Sequence, residues 1–187
     1  MNKLLLKSPA KINLDLTILN KLKNGYHEIN TSFQLIDLFD EIEFESSKNN
    51  ISLSSNLKEL NSDDNIITTV ARKLQSSNSK LGVKIKLKKL IPIGAGLGGG
   101  SSNAASTIVA LNKLWDLKMS KSEMHNFARN IGADVPFFLF GQNAQGNGIG
   151  DILKYKDSIT DNILIIDPMI FSSTEEMYRE YLSLIHI

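Results

Sequence analysis

A run of small residues constrains the fold of this chain more than any other feature. From Pro92 to Ala105 the sequence reads Pro-Ile-Gly-Ala-Gly-Leu-Gly-Gly-Gly-Ser-Ser-Asn-Ala-Ala, which contains five of the chain's 12 glycines. We term residues 92–105 the glycine stretch. The preceding residues 83–91 alternate apolar side chains with lysines, as a half-buried strand does. From about Ser102 onward, apolar residues recur at three- and four-residue spacing and predict a helix.

A strand, a glycine loop and a helix start in this order favour phosphate binding. The first turn of a helix offers free N–H groups and the positive end of the helix dipole. Glycines suit such a loop because no Cβ keeps an oxygen away from the amides, and because several positions are expected to need a positive φ. The hydroxyls of Ser101 and Ser102 could contact a phosphate or a magnesium ion.

Three other interpretations of the glycine stretch fit less well. Gly94 to Gly99 satisfies the Gly-x-Gly-x-x-Gly pattern of nicotinamide oxidoreductases, but the lysine-rich strand before it is not the continuously apolar strand of that fold. Asp116 follows a helix, whereas the acidic residue of that pattern ends a second strand. A P-loop would have lysine where this chain has Gly100. A flexible linker is not usually framed by a strand and an amphipathic helix.

Composition excludes several other classes of function. The 187 residues carry a formal net charge of +1, so bulk charge indicates neither a nucleic-acid partner nor a membrane surface. The chain has no cysteine, which excludes disulfides and thiolate metal sites. It has no apolar run of transmembrane length, and its first residues are too short for a signal peptide. We therefore expect a soluble cytoplasmic protein.

The first half of the chain reads as a β-meander followed by a helix. Residues 4–6 and 8–18 are two candidate strands, and in the second Ile12, Leu14, Leu16 and Ile18 should share one face. Asn24-Gly25 predicts a hairpin turn into a strand that runs to about Leu35. Residues 40–44 and 51–53 are further candidate strands. Asp63-Asp64-Asn65 should cap a helix.

The second half carries one carboxylate that needs an explanation. Ser120 and Glu123 form a capping-box pattern, and Gly132 should end the helix that they start. Asp134 then stands at the head of the apolar run 135–140 as a helix cap, as a group held for chemistry, or as both. Residues 144–153 read as two short strands around a tight turn, residues 162–167 as another strand, and Ser172 as the start of a last helix.

Four segments together resemble the GHMP kinase superfamily: Ser8–Leu14, Gly25–Glu28, Pro92–Ala105 and Gly132–Phe137. Gly25-Tyr26-His27-Glu28 points to the branch that acts on cytidine diphosphate-linked methylerythritol in the non-mevalonate route to isoprenoids. The resemblance implies an α+β domain of the ribosomal protein S5 domain 2-like type, with a mixed, mostly antiparallel sheet and helices on one side. It implies an ATP-binding domain over 1–160, and a ferredoxin-like substrate domain that begins at 161–187 and is otherwise absent.

The resemblance also implies a role for each motif residue. The chain would transfer the γ-phosphoryl group of ATP to an alcohol, with Mg²⁺ near Ser101 or Ser102. Asp134 would accept the proton and Lys11 would stabilise charge, although a carboxylate is a weak base toward an alcohol. Asn13 would bind the acceptor, while Tyr26, His27 and Tyr178 would bind the cytidine. The implied ATP-binding residues are Asn65, Pro92, Gly94, Ala95, Gly96, Leu97, Gly98, Gly99, Gly100, Ser101 and Ser102.

Some alternatives stay open at the level of sequence. His27 can be a turn histidine that bonds only locally. Asn24 replaces the family's usual acidic residue, a change that preserves turn chemistry. A homoserine or mevalonate-type substrate is disfavoured by Tyr26, His27 and Tyr178. A further alternative is a fragment that binds ATP weakly and transfers nothing.

Overall fold

The computed structural model describes residues 3–23, 25–75, 80–157, 159 and 162–167. Within these residues one six-stranded sheet carries four α-helices. Some of the predictions fall outside the described residues: the Asn24 half of the hairpin turn, the helix from Ser172, the cytidine contact of Tyr178, and almost all of the proposed second domain.

Two long antiparallel strands organise the sheet. They are β1 (Lys3–Lys21) and β2 (His27–Lys48), and they form one hairpin. The prediction of two separate short strands in each of these regions is wrong. Register shifts between Pro9 and Ala10 and between Asn13 and Asp15 insert extra residues without ending the ladder. A β-bulge of this kind interrupts the alternation of side chains while the strand continues, so the sequence pattern looks broken where the backbone is not.

The remaining strands extend the other edge of β2. They are β3 (Ile51–Ser55), β4 (Leu81–Lys88), β5 (Ala144–Asn147) and β6 (Ile152–Tyr155). β4 pairs with the second half of β2, and β5 pairs with its first half. Only the pairing of β3 with β4 is parallel among the described strands. The predicted mixed, mostly antiparallel sheet is therefore confirmed.

The strand predicted over 162–167 is wrong. These residues have no regular secondary structure, and none of the described strands pairs with them. The side chains of Leu164 and Ile166 are 84% and 79% exposed. A run of apolar residues forms a strand only where a neighbouring strand pairs with its backbone N–H and C=O groups.

Four helices lie on one face of the sheet. They are α1 (Ile66–Gln75), α2 (Gly99–Leu114), α3 (Lys121–Arg129) and α4 (Val135–Phe140), and a 3₁₀ turn (Lys58–Leu60) precedes α1. The capping box of Ser120 and Glu123 forms as predicted. None of the helices in the described part of the chain has the length and apolar composition needed to cross a membrane.

Helix α2 forms the centre of the hydrophobic core. Its Ala104, Ile108 and Leu111 are buried against the sheet and α1. The alanines let the helix approach closely, and burial of each large aliphatic side chain contributes about 1.5–3 kcal/mol. Packing along its whole length fixes the position of its N-terminus, where the glycine stretch arrives. The buried residues of this core are Ile42, Phe44, Ile67, Val70, Ala71, Leu74, Val83, Ile85, Leu87, Ala104, Ala105, Ile108, Ala110, Leu111, Trp115, Ala128 and Val135.

Candidate active site

A cleft of about 1080 Å³ opens beside the glycine stretch. Its walls come from β1, β2, the start of α1, the glycine stretch and the head of α4. The residues predicted to bind ATP from Pro92 to Ser101 all line it, and so do Asn65, Lys11, Asn13 and Asp134. Four separate parts of the sequence thus meet around one cavity of the size that ligand sites usually have.

The glycine stretch delivers an uncapped helix end to this cleft. Helix α2 begins at Gly99, three residues before the predicted start, and no side chain caps it. The first helical hydrogen bond runs from the Ser102 N–H to the Gly98 carbonyl at 2.9 Å. The N–H groups of Gly99, Gly100 and Ser101 therefore have no acceptor within the helix. This arrangement binds anions.

Gly98 has two reasons to be glycine. Its φ is +69°, in the left-handed region that favours glycine. A Cβ there would also lie 2.8 Å from the Phe138 ring and 3.2 Å from Cε of Lys11. The absence of a side chain lets the loop lie directly against the base of the cleft.

The loop is joined to β1 by a backbone hydrogen bond. The Lys11 N–H donates to the Leu97 carbonyl at 3.0 Å. The strand that carries Lys11 and Asn13 is thereby held in register with the phosphate-binding loop.

Lys11, Asn13 and Asp134 form a polar cluster in the cleft. The Lys11 ammonium donates to Oδ1 of Asn13 at 2.6 Å and lies 3.6 Å from Oδ2 of Asp134. The side chain of Lys11 is only 7% exposed, whereas that of Asp134 is 33% exposed. Asp134 makes no capping hydrogen bond to α4, so the interpretation of its side chain as a helix cap is wrong, and Asp134 lines the cleft. A partly exposed carboxylate beside a buried ammonium can bind and orient a hydroxyl group.

Thr31 and Phe33 support this cluster, and the sequence did not reveal them. Asn13 donates through Nδ2 to Oγ1 of Thr31 at 2.7 Å, and the Thr31 hydroxyl donates to the Asp15 carbonyl at 2.6 Å. These bonds orient the Asn13 amide so that its oxygen points to Lys11. The Phe33 ring centroid lies 5.8 Å from the Lys11 ammonium. In the sequence both residues look like ordinary strand residues of a half-buried sheet, so no signal distinguished them.

The bulge in β1 changes which side chains face the cleft. Leu14 is the extra residue between Asn13, which pairs with Phe33, and Asp15, which pairs with Ser32. Leu16 and Ile18 beyond the bulge therefore line the same cleft as Lys11 and Asn13. The predicted single apolar face of Ile12, Leu14, Leu16 and Ile18 is wrong. The cleft instead continues from the polar cluster into an apolar wall.

The two serines of the glycine stretch are placed differently. Ser102 is 1% exposed, and its hydroxyl lies 3.0 Å from that of Ser8, which in turn lies 3.0 Å from that of Ser106. Ser101 lines the cleft. No group of three or more acidic, histidine or cysteine side chains that could hold a metal ion occurs within the described ranges.

The remaining predicted site residues have more peripheral positions. Asn65 lines the cleft, but its amide already accepts from the Ile67 N–H and donates to the Leu60 carbonyl, each at 2.9 Å. Tyr26 and His27 lie at the tip of the β1–β2 hairpin, and neither is among the described residues that line the cleft. His27 is two residues from Ile29, which does line it, so both lie on the same face of the strand.

One family model matches the part of the chain that carries most of these features. Residues 65–142 match the GHMP kinases N terminal domain. That segment includes the start of α1, the whole glycine stretch and Asp134. Over these residues the chain carries the N-terminal domain of the GHMP kinases.

The chain is also similar to individual kinases along most of its length. The chain is 48% identical over 185 residues to the 4-diphosphocytidyl-2-C-methyl-D-erythritol kinase of Prochlorococcus marinus (strain MIT 9515), which covers 96% of this chain and 59% of that protein. It is 44% identical over 174 residues to the enzyme of the same name from Francisella tularensis subsp. tularensis (strain FSC 198), covering 91% of this chain and 63% of that protein. The chain thus spans about three fifths of the length of these relatives.

A solved structure of the same name shares the fold. A crystal structure of 4-(cytidine 5'-diphospho)-2C-methyl-D-erythritol kinase superimposes with a TM-score of 0.71 at 35% sequence identity. The match covers 82% of this chain and 55% of that one. The resemblance inferred from the sequence motifs is therefore confirmed.

Proposed function

We propose that this chain carries the ATP-binding and catalytic part of a kinase that phosphorylates the 2-hydroxyl of 4-diphosphocytidyl-2-C-methyl-D-erythritol. The observation that carries the proposal is the Lys11–Asp134 pair, with its 3.6 Å separation, in the same cleft as the uncapped start of α2. The names of the relatives support the choice of substrate. A cytoplasmic location, a requirement for Mg²⁺ and a second, substrate-binding domain from about residue 161 belong to the same proposal.

The glycine stretch would hold the triphosphate of ATP. Its free N–H groups and the dipole of α2 favour the phosphate oxygens, and positioning is most of the catalysis in phosphoryl transfer. Mg²⁺ keeps several waters and needs few protein ligands when phosphates bind it, so a single hydroxyl suits it. Ser101 fits this role because its side chain lines the cleft, whereas the buried Ser102 hydroxyl bonds to Ser8. The cation would neutralise charge on the transferring phosphate.

Lys11 and Asp134 would act on the acceptor hydroxyl. Its oxygen forms the new bond to the γ-phosphorus while the bond from that phosphorus to the bridging β–γ oxygen breaks, and ADP leaves. Asp134 takes the hydroxyl proton late in the reaction, when bond formation has made it acidic. Lys11 holds Asp134 in place and stabilises negative charge on the acceptor oxygen, while Asn13 orients the Lys11 ammonium.

Tyr26, His27 and Tyr178 would bind the cytidine. The apolar wall formed by Leu16, Ile18 and Ile29 leads from the polar cluster toward the hairpin tip that bears Tyr26 and His27. Stacking of a base on an aromatic side chain contributes about 1–3 kcal/mol. The acceptor would thus extend along the wall from the cluster to the tip.

The test is ADP release by the 187-residue chain with Mg-ATP, with and without the proposed acceptor. Release that depends on the acceptor and falls in Asp134→Asn would support the proposal. Release with homoserine or mevalonate in place of the cytidine substrate would contradict the assignment of the acceptor. ATP binding by folded chain without release would favour a nucleotide-binding module, and saturable NADH binding would favour the oxidoreductase alternative.

A further inference from the structure

The glycine stretch is anchored where the chain leaves β4, at Lys89, Leu90 and Ile91. Two side chains from elsewhere bind the backbone there. Asn56 accepts from the Lys89 N–H at 2.7 Å and donates to the Lys89 carbonyl at 3.1 Å. Asp40 accepts from the N–H groups of Leu90 and Ile91 at 2.7 and 2.9 Å. The start of the phosphate-binding loop is thus fixed by β2 and by the residue that follows β3.

The Lys89 ammonium lies beneath the first turn of α2. It is 3.0 Å from Oδ2 of Asp40 and also donates to the Ile91 carbonyl. A Cβ at Gly99 would lie 3.0 Å from this nitrogen and also 3.0 Å from Cγ2 of Ile91. Lys89 lines the same cleft as the glycine stretch, although its side chain is only 6% exposed and that of Asp40 is fully buried.

Stability alone does not explain this buried pair. Desolvation lowers the pKa of Lys89, and the Asp40 carboxylate opposes that effect. Buried ion pairs often contribute no net stability relative to apolar side chains of similar volume. A carboxylate beneath an anion-binding loop would also repel phosphate unless a cation neutralised it. Burial of the pair therefore costs free energy, and a role of Lys89 in anion binding would explain why the pair is there.

We propose that Lys89 is a positioning residue for nucleotide binding: it ties the end of β4 to the first turn of α2 and neutralises Asp40 beneath the bound phosphates. The inference rests on the proposed function, because it assumes that the glycine stretch binds ATP. It assigns Gly99 a specific purpose, which is to leave room for the Lys89 ammonium and for the Ile91 side chain that packs beside it.

The neutralisation of Asp40 by Lys89 is tested by measuring the ATP affinity of three variants. They are Lys89→Met, the double variant Lys89→Met with Asp40→Asn, and Lys88→Met as a control. Lys88 is the neighbouring lysine, and it pairs with Glu41 on the exposed face of the sheet. We expect Lys89→Met to weaken ATP binding by about tenfold or more, because it leaves a buried carboxylate unpaired. The double variant should recover most of the affinity, since the amide introduced by Asp40→Asn keeps an acceptor for Leu90 and Ile91. Lys88→Met should bind ATP as the unchanged chain does.

The positioning part is tested without nucleotide, by hydrogen exchange of the amides of Leu90 and Ile91. Gly99→Ala should displace the ammonium and raise their exchange. Gly100→Ala has no atom within 4 Å of the added methyl group and should leave their exchange unchanged. Gly99→Ala and Gly100→Ala also test the proposal if Lys89→Met fails to fold.

The outcomes separate this inference from the proposed function. Unchanged ATP affinity in folded Lys89→Met, no recovery in the double variant, or equal exchange in the two alanine variants would each overturn it. A wild-type chain that does not bind ATP would overturn the proposed function and the nucleotide part of the inference together. A fall in affinity for the acceptor by the same factor as for ATP would show general destabilisation, and would also overturn it.

Discussion

Two lysine–aspartate pairs line or underlie the same cleft, and their surroundings differ. Lys11 and Asp134 are 3.6 Å apart, and the carboxylate is one third exposed. Lys89 and Asp40 are 3.0 Å apart, and the carboxylate is fully buried and accepts two backbone N–H groups. An accessible carboxylate can receive a substrate proton, whereas one engaged with the backbone cannot leave its partners. The difference supports the proposals that the open pair acts in the chemistry and that the closed pair positions the loop.

The largest effect is expected from Asp134→Asn. The amide keeps the size of the side chain but removes the base, so kcat should fall by about 100- to 10,000-fold. The melting temperature should stay close to that of the unchanged chain, because the carboxylate makes no capping hydrogen bond. Steady-state kinetics and thermal unfolding together check this. Near-normal turnover would remove the distinction between the two pairs.

Lys11→Met should show the same division between activity and stability. Turnover should fall by about two orders of magnitude, since charge on the acceptor oxygen loses its stabilising partner. The free energy of unfolding should change little, because the exposed Asp134 can be hydrated when it loses the ammonium. Urea unfolding measures the second quantity. A large loss of stability would mean that the open pair is structural.

Lys89→Met, in contrast to the variants of the open pair, should cause a large loss of stability. Removal of one partner from a buried ion pair costs about 3–5 kcal/mol, because the remaining charge has no solvent to stabilise it. Urea unfolding of Lys89→Met against Lys88→Met measures this cost in matched variants. Equal stability of the two variants would show that Asp40 does not depend on Lys89.

The smallest effect is expected from Thr31→Val. The substitution keeps the shape of the side chain and removes the hydroxyl that orients Asn13. The loss of such a hydrogen bond costs about 0.5–1.5 kcal/mol, and turnover should fall several-fold through misorientation of Lys11. Unfolding and kinetics of the same preparation give both values. Unchanged turnover would show that Asn13 is oriented without Thr31.

The sequence predicted the fold class and named most of the residues that meet in the cleft. It predicted a strand, a loop and a helix around the glycine stretch, and the structure has that order. It missed the continuity of β1 and β2, because bulges disturb alternation without ending a strand. The alternation over 83–91 also predicted a solvated face for its lysines. Lys84, Lys86 and Lys88 are exposed, but Lys89 lies beyond the end of β4 and is buried.

The sequence by itself determined the local properties of each segment. Small side chains at 94–100 permit positive φ and close approach of an anion, and the apolar spacing after them makes a helix whose first amides are free. The tertiary structure decided what depends on register and distance. It put Asp40 under Lys89 across 49 residues of sequence, placed Ser101 but not Ser102 in the lining of the cleft, and brought Leu16 to the side of the polar cluster. A sequence pattern does not show which strands pair or where a bulge shifts their register. Strand pairing and register determine which side chains meet.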